Sequence, residues 1–148
     1  MDTIKTKYRK MEKIIIRVLD YTENPGPRFI HQGAFSGEDF YRKILNKKMA
    51  ECINNDVTME VWLDGTSGYP SSFLDQAFGE LVYDFTEKVV REMVKFETKM
   101  YKRRVIKLYE ETYPQWEKRR ITEVEMHNNE NYTHCFYLNS DGKLSQRQ

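Results

Sequence analysis

Apolar positions along this chain recur with two different periods, and the switches fall at turn-forming residues. "EKIIIRVLDY" (12–21) is a short β-branched run that predicts a buried strand. Pro25, Gly26 and Pro27 break it, and a short second strand is expected around Arg28–His31. "SGEDFYRKILNKKMAECI" then reads as a helix. Ser36 is its N-cap, Asp39 the capping-box partner, and Phe40, Ile44, Leu45, Met49, Cys52 and Ile53 share one face. After the Asn54–Asn55–Asp56 turn, Val57, Met59, Val61 and Leu63 alternate as in a strand. Leu74, Phe78, Leu81, Phe85, Val89 and Met93 follow at helical spacing, predicting one long helix or two broken near Asp84–Thr86. "RRVIKLY" (103–109) reads as a third core strand, "YPQWEKRRITEVEMHN" as a helix with Pro114 early in it, and "NYTHCFYL" (131–138) as an edge strand before an "NSDG" turn. Strands alternating with helices predict a single α/β domain over 1–148, a small mixed sheet with helices packed on it. Its core spans about 12–127, and 128–148 form a C-terminal extension.

Between the 57–63 strand and the long helix lies "LDGTSGYPSSFLDQAFGEL", which supplies the candidate chemistry. Gly65 and Gly68 bend the chain, Thr66, Ser67, Ser71 and Ser72 offer hydroxyls, and Asp64 and Asp75 flank the turn. A strand-to-helix junction is where α/β folds often place ligands, because free backbone N–H groups and the helix dipole favour anions. The plain alternative is equally open: Ser71 or Ser72 caps the helix, the glycines turn the chain, and nothing binds. No Lys follows the glycines in a Walker pattern, and no GxGxxG is present.

"VTMEVWLDGTSGYPSSFLDQAFGELV", preceded by "FSGEDFYRKIL", resembles a STAS-like domain-of-unknown-function family of bacteria and their phages. The resemblance lies in the SGEEF-type helix start and the strand–Gly–x–SSFLDEAFG block, and extends over roughly residues 12–127. More distantly it is similar to the STAS anti-sigma-factor antagonists, in which a phosphorylatable Ser sits where a loop meets a helix. By position the resemblance places Ser71 or Ser72 there, although the Asp that precedes the antagonists' Ser is Pro70 here. The family's tendency to accompany kinase-like ATPases implies a regulatory module with a protein partner of that kind, no cofactor and no chemistry of its own. The switch surface is then Asp64, Gly65, Thr66, Ser67, Gly68, Ser71, Ser72 and Asp75.

Charge adds a second candidate surface. Net charge is only +1, but residues 51–85 hold seven Asp/Glu and no Lys or Arg, whereas residues 86–120 hold eleven Lys/Arg and six Glu. Such blocks favour an oriented polar partner or self-association through opposite faces. Arg103, Arg104 and Lys107 are the expected docking surface within a basic run from Lys99 to Arg120. The interleaved Glu97, Glu110, Glu111 and Glu117 weigh against nucleic-acid binding on charge grounds, though an accessory role on nucleic acid stays as one alternative. Another is a small enzyme or nucleotide binder using Asp64, Thr66, Ser71, Ser72 and Asp75. His31, His127, His134, Cys52 and Cys135 lack a metal-ligand spacing, so no metal site is expected. Trp62, Trp116, Tyr109 and Tyr113 read as packing aromatics. Two distant cysteines, a charged start without a following apolar segment and no membrane-length apolar run give a cytoplasmic expectation with no membrane partner.

Overall fold

The computed structural model describes residues 12–148, so the charged start of the chain lies outside the described residues. Three parallel strands form a sheet in sequence order: β1 (Lys13–Arg17), β2 (Thr58–Trp62) and β3 (Val94–Glu97). A short helix α1 (Val18–Tyr21) follows β1 directly, which ends the first strand four residues earlier than the sequence suggests. The second strand expected around Arg28–His31 is absent. That stretch is a turn with a single 3-10 turn at Ile30–Gln32, tied down where the Gly37 and Glu38 N–H groups donate to the Pro27 and Arg28 carbonyls.

Helix α2 (37–55) is continuous through a π turn at Tyr41–Leu45. Ser36 caps it, accepting from the Asp39 N–H at 3.0 Å. The reciprocal half of the capping box does not form, because the Asp39 carboxylate accepts instead from the Tyr21 hydroxyl at 2.6 Å. The π turn rotates the apolar face, so Tyr41 and Asn46 join Phe40, Leu45, Met49 and Cys52 in the interior.

Helix α3 (Ser71–Phe85) is the centre of the molecule, with every residue from Phe73 to Phe85 buried except Asp75. A helix buried nearly all round needs close neighbours, and two glycines allow them. A Cβ at Gly37 would overlap the Phe73 carbonyl, and one at Gly79 would overlap the Trp116 indole. The break after Phe85 falls at Thr86, inside the predicted interval. Its φ is +76°, and its hydroxyl caps α4 (Glu87–Met93) by accepting from the Val89 N–H at 3.3 Å.

"RRVIKLY" is not a strand. It opens helix α5 (102–122), which passes through a π turn at Leu108–Thr112 and ends at Thr122. Pro114 cannot donate an N–H and its ring would press on the carbonyl four residues back, and the widened π turn lies where that crowding would occur. The third strand is Val94–Glu97 instead, the segment that extends the helical pattern of residues 87–93. "FYL" forms β4 (Phe136–Leu138), which pairs antiparallel with β5 (Leu144–Gln146) in a separate ribbon rather than edging the main sheet.

Only one face of the parallel sheet carries the core: Ile16, Met59, Val61 and Val94 are buried beneath the helices. Among the described residues the other face is uncovered. There Arg17 stacks over Trp62 at 4.8 Å, Trp62 donates to Glu60 at 2.6 Å, and Lys13 pairs with Glu60 at 3.0 Å. Trp62 is thus an exposed aromatic, whereas Trp116 and Tyr113 are core residues.

Candidate functional site

The loop between β2 and α3 is held by its own side chains. Asp64 accepts from the Thr98 hydroxyl at 2.5 Å and from the N–H groups of Lys99 at 2.7 Å and Met100 at 3.3 Å. Desolvation pushes its carboxyl up, but these donors outweigh it and hold Asp64 below the usual carboxylate range. Asp64 therefore braces the β3–α5 connection. Gly65 sits at φ +100°, where a side chain would also press on Leu19, and the Ser67 N–H donates to the Glu23 carbonyl at 2.8 Å. Tyr69 is buried and its hydroxyl donates to the Leu63 carbonyl at 2.7 Å.

Neither serine caps the helix. The N-cap position is Pro70, which has no side-chain acceptor, so Ser71 and Ser72 are the first two residues of α3. Among the described residues their N–H groups have no hydrogen-bond partner. Ser71 is exposed and Ser72 half-buried.

Ser71 opens onto a cleft of ≈230 Å³ between the start of α3 and α5. Arg28, Arg104 and Lys107 bring positive charge to its wall, and Leu74 and Leu108 its apolar surface. Asp75 is spoken for: Arg28 donates to it at 2.7 Å, the Thr112 hydroxyl at 2.8 Å and the Trp116 indole at 3.5 Å. Arg28 is fixed in turn by a second bond, to the Gln76 amide oxygen at 3.0 Å. The structure thus joins the two surfaces that the sequence kept apart, Ser71 and Asp75 with Arg104 and Lys107. It leaves Asp64, Gly65, Thr66, Ser67, Gly68, Ser72 and Arg103 outside the cleft lining. Asp64 and Asp75 serve separate bonding networks and are not a carboxylate pair.

Residues 36–98 match a STAS-like domain of unknown function (DUF4325). No curated protein and no solved structure matches the chain. The STAS-like segment runs from the Ser36 cap of α2 to Thr98, whose hydroxyl braces Asp64, so the family pattern spans the β2–loop–α3 unit and its supports. The basic wall of the cleft, on α5, lies outside the matched segment.

A second polar cluster escaped the sequence reading. Glu80 and Asp84, one turn apart on α3, are buried around His127, which is itself 1% exposed. His127 Nδ1 lies 2.9 Å from Asp84 and Nε2 lies 3.3 Å from Glu80. Tyr132 donates to Glu80 and Tyr41 to Asp84, while Arg147 reaches Asp84 at 2.8 Å from the end of the chain. Burial pushes the Glu80 carboxyl up. Burial also works against a charged His127, but Asp84 and Glu80 together hold its pKa above the ordinary value. The signal was present in the sequence: two acids at i and i+4 inside an otherwise apolar helix demand a buried cation. This cluster explains why the acidic block at 51–85 makes no acidic face. Glu80 and Asp84 are internal, Asp64 and Asp75 are bonded, and Glu60 is paired with Lys13.

Among the described residues no group of His, Cys, Asp and Glu has the arrangement of a metal site. No helix of the described residues is long and apolar enough to cross a membrane. Cys52 and Cys135 are both buried free thiols, each pushed up to about 11 by burial first and nearby acids second.

Proposed function

We propose that this protein is a regulatory interaction module that works by binding a protein partner and performs no chemistry of its own. Its switch surface is the cleft at the start of α3, with Ser71 as the responsive group. The observation that carries this reading is the position of Ser71: exposed, at the first turn of a fifteen-residue helix, on a cleft walled by Arg28, Arg104 and Lys107. A phosphate there adds about −1.5 to −2 charges. Asp64 and Asp75 lie close to Ser71 in sequence, but this geometry offsets their repulsion of such a charge. Asp64 faces the Thr98–Met100 turn, Asp75 is neutralised by Arg28, and two further cations stand across the cleft. Ser71 rather than Ser72 is the modified residue in this reading, because Ser72 is half-buried and outside the cleft.

The partner docks on the exposed basic surface of α5, where Lys107 lines the cleft and Arg103 lies one turn before it on the helix, and presents acidic groups to it. A kinase-like ATPase fits this role because it would both engage and modify the loop. Capture of partners from the cells that encode the protein, with wild type and Arg103→Glu/Lys107→Glu compared, tests the docking surface. Loss of a specific partner on charge reversal is expected, and undiminished capture of every wild-type partner would remove the surface from the reading.

A further inference from the structure

We propose that the cleft between the start of α3 and α5 binds the phosphate group of a small phosphate monoester. The inference rests on the reading of this cleft as the functional site, but not on any modification of Ser71. Arg28, Arg104 and Lys107 line it together with the acids Asp75, which is bonded to Arg28, and Glu111, one turn beyond Lys107 on α5. Both oxygens of Asp75 are already engaged by Arg28, Thr112 and Trp116, so its charge is matched before any ligand arrives. Among the described residues neither Arg104 nor Lys107 lies within ion-pair distance of a carboxylate. Two cations one turn apart on the same helix, without an acidic partner, repel each other and gain by sharing an anion.

The chemistry on the walls fits a phosphate dianion better than a carboxylate. A guanidinium forms paired donors that match phosphate oxygens, and Lys107 adds a mobile point charge. Arg28 is preorganised by its bonds to Asp75 and Gln76, so little freedom is lost when its outer edge meets a ligand. Ser71 contributes a hydroxyl on the opposite rim. Leu74 and Leu108 exclude water beneath these groups, which strengthens each charge-assisted bond. The cleft, at ≈230 Å³, is smaller than the ~300–1,000 Å³ of a whole small-molecule pocket. It therefore takes the phosphate and leaves the body of the ester at the mouth, beside Glu111 and the exposed end of Lys107.

Titration of the full-length, isotopically labelled protein with glycerol phosphate, inorganic phosphate and sodium chloride at matched ionic strength tests this by amide chemical shifts. Saturable shifts centred on residues 71–75 and 104–112 are expected with glycerol phosphate and none with chloride. Arg104→Gln/Lys107→Gln should weaken the binding at least tenfold with an unchanged melting temperature. Ser71→Asp, which brings a carboxylate to the same rim, should weaken it as well. Linear, chloride-like shifts, binding of inorganic phosphate but not the ester, or full affinity in the double variant would overturn the proposal. A cleft that fails to bind the ester while partner capture still responds to Ser71 removes the ligand site and leaves the switch standing. Ester binding with partner capture indifferent to Ser71 does the reverse.

Discussion

Gly79 and Trp116 occupy space that no side chain at 79 could share: a Cβ on Gly79 would fall inside the Trp116 indole. This contact sets how closely α3 and α5 approach, and so the width of the cleft between them. The same indole reaches Asp75, one turn earlier on α3, at 3.5 Å. Gly79→Ala must therefore displace Trp116 and is expected to cost about 1–3 kcal/mol, the usual range for overpacking. Chemical denaturation measures it, and a variant as stable as wild type would show that the two helices are free to move apart.

His127 links stability to pH. Its pKa is raised in the folded protein, so the stabilisation it gives is fully present below its ordinary value of 6.5 and is lost as pH rises through the folded pKa. Glu80, also raised, acts in the same direction from its own ordinary value of 4.5 upward. Asp84, Tyr41, Tyr83, Tyr132 and Arg147 complete the surroundings of the imidazole. The stability difference between wild type and His127→Gln should shrink as pH rises above 6.5. A difference that grows with pH would mean that His127 is buried neutral.

Arg147 anchors the end of the chain to the core through Asp84, with its side chain 15% exposed. Arg147→Gln leaves a buried carboxylate with one charged donor fewer and should destabilise by about 1–3 kcal/mol. Thermal melting and hydrogen exchange over residues 134–147 provide the check. Wild-type melting together with unchanged protection would show the C-terminal ribbon to be held by other contacts, such as Asn46 with Phe136 at 2.8 Å.

The thiols supply a simple control on the packing. Buried and raised to about 11, Cys52 and Cys135 should resist a thiol reagent at pH 8 in the native protein and react fully in denaturant. Rapid native labelling of either would place that residue nearer the surface.

How much of this was legible in the sequence differs element by element. Periodicity located the core of α3 because Leu74, Phe78, Leu81 and Phe85 are all buried. It failed at β3, where four residues continue the spacing of a preceding helix and only pairing with Met59–Trp62 makes them a strand. It failed again at Val105 and Ile106, whose β-branched side chains read as strand but lie on a helix secured by Leu108, Tyr113 and Trp116. Ser71 and Ser72 both read as possible caps because each is a hydroxyl residue just before an apolar helical run, yet Pro70 holds the N-cap and Asp75 is drawn to Arg28. The cleft could not be read at all, since Ser71 and Arg104 are brought together by tertiary packing alone.

Control of partner binding by Ser71 is open to a single comparison. Wild type, Ser71→Ala and Ser71→Asp are used side by side to capture partners quantitatively from the cells that encode the protein, with melting measured on each. Ser71 makes no cap bond, so all three should melt alike. A partner recovered equally by wild type and Ser71→Ala and at least tenfold less by Ser71→Asp is the expected result. Equal recovery by all three would contradict it and reduce the turn to a structural corner.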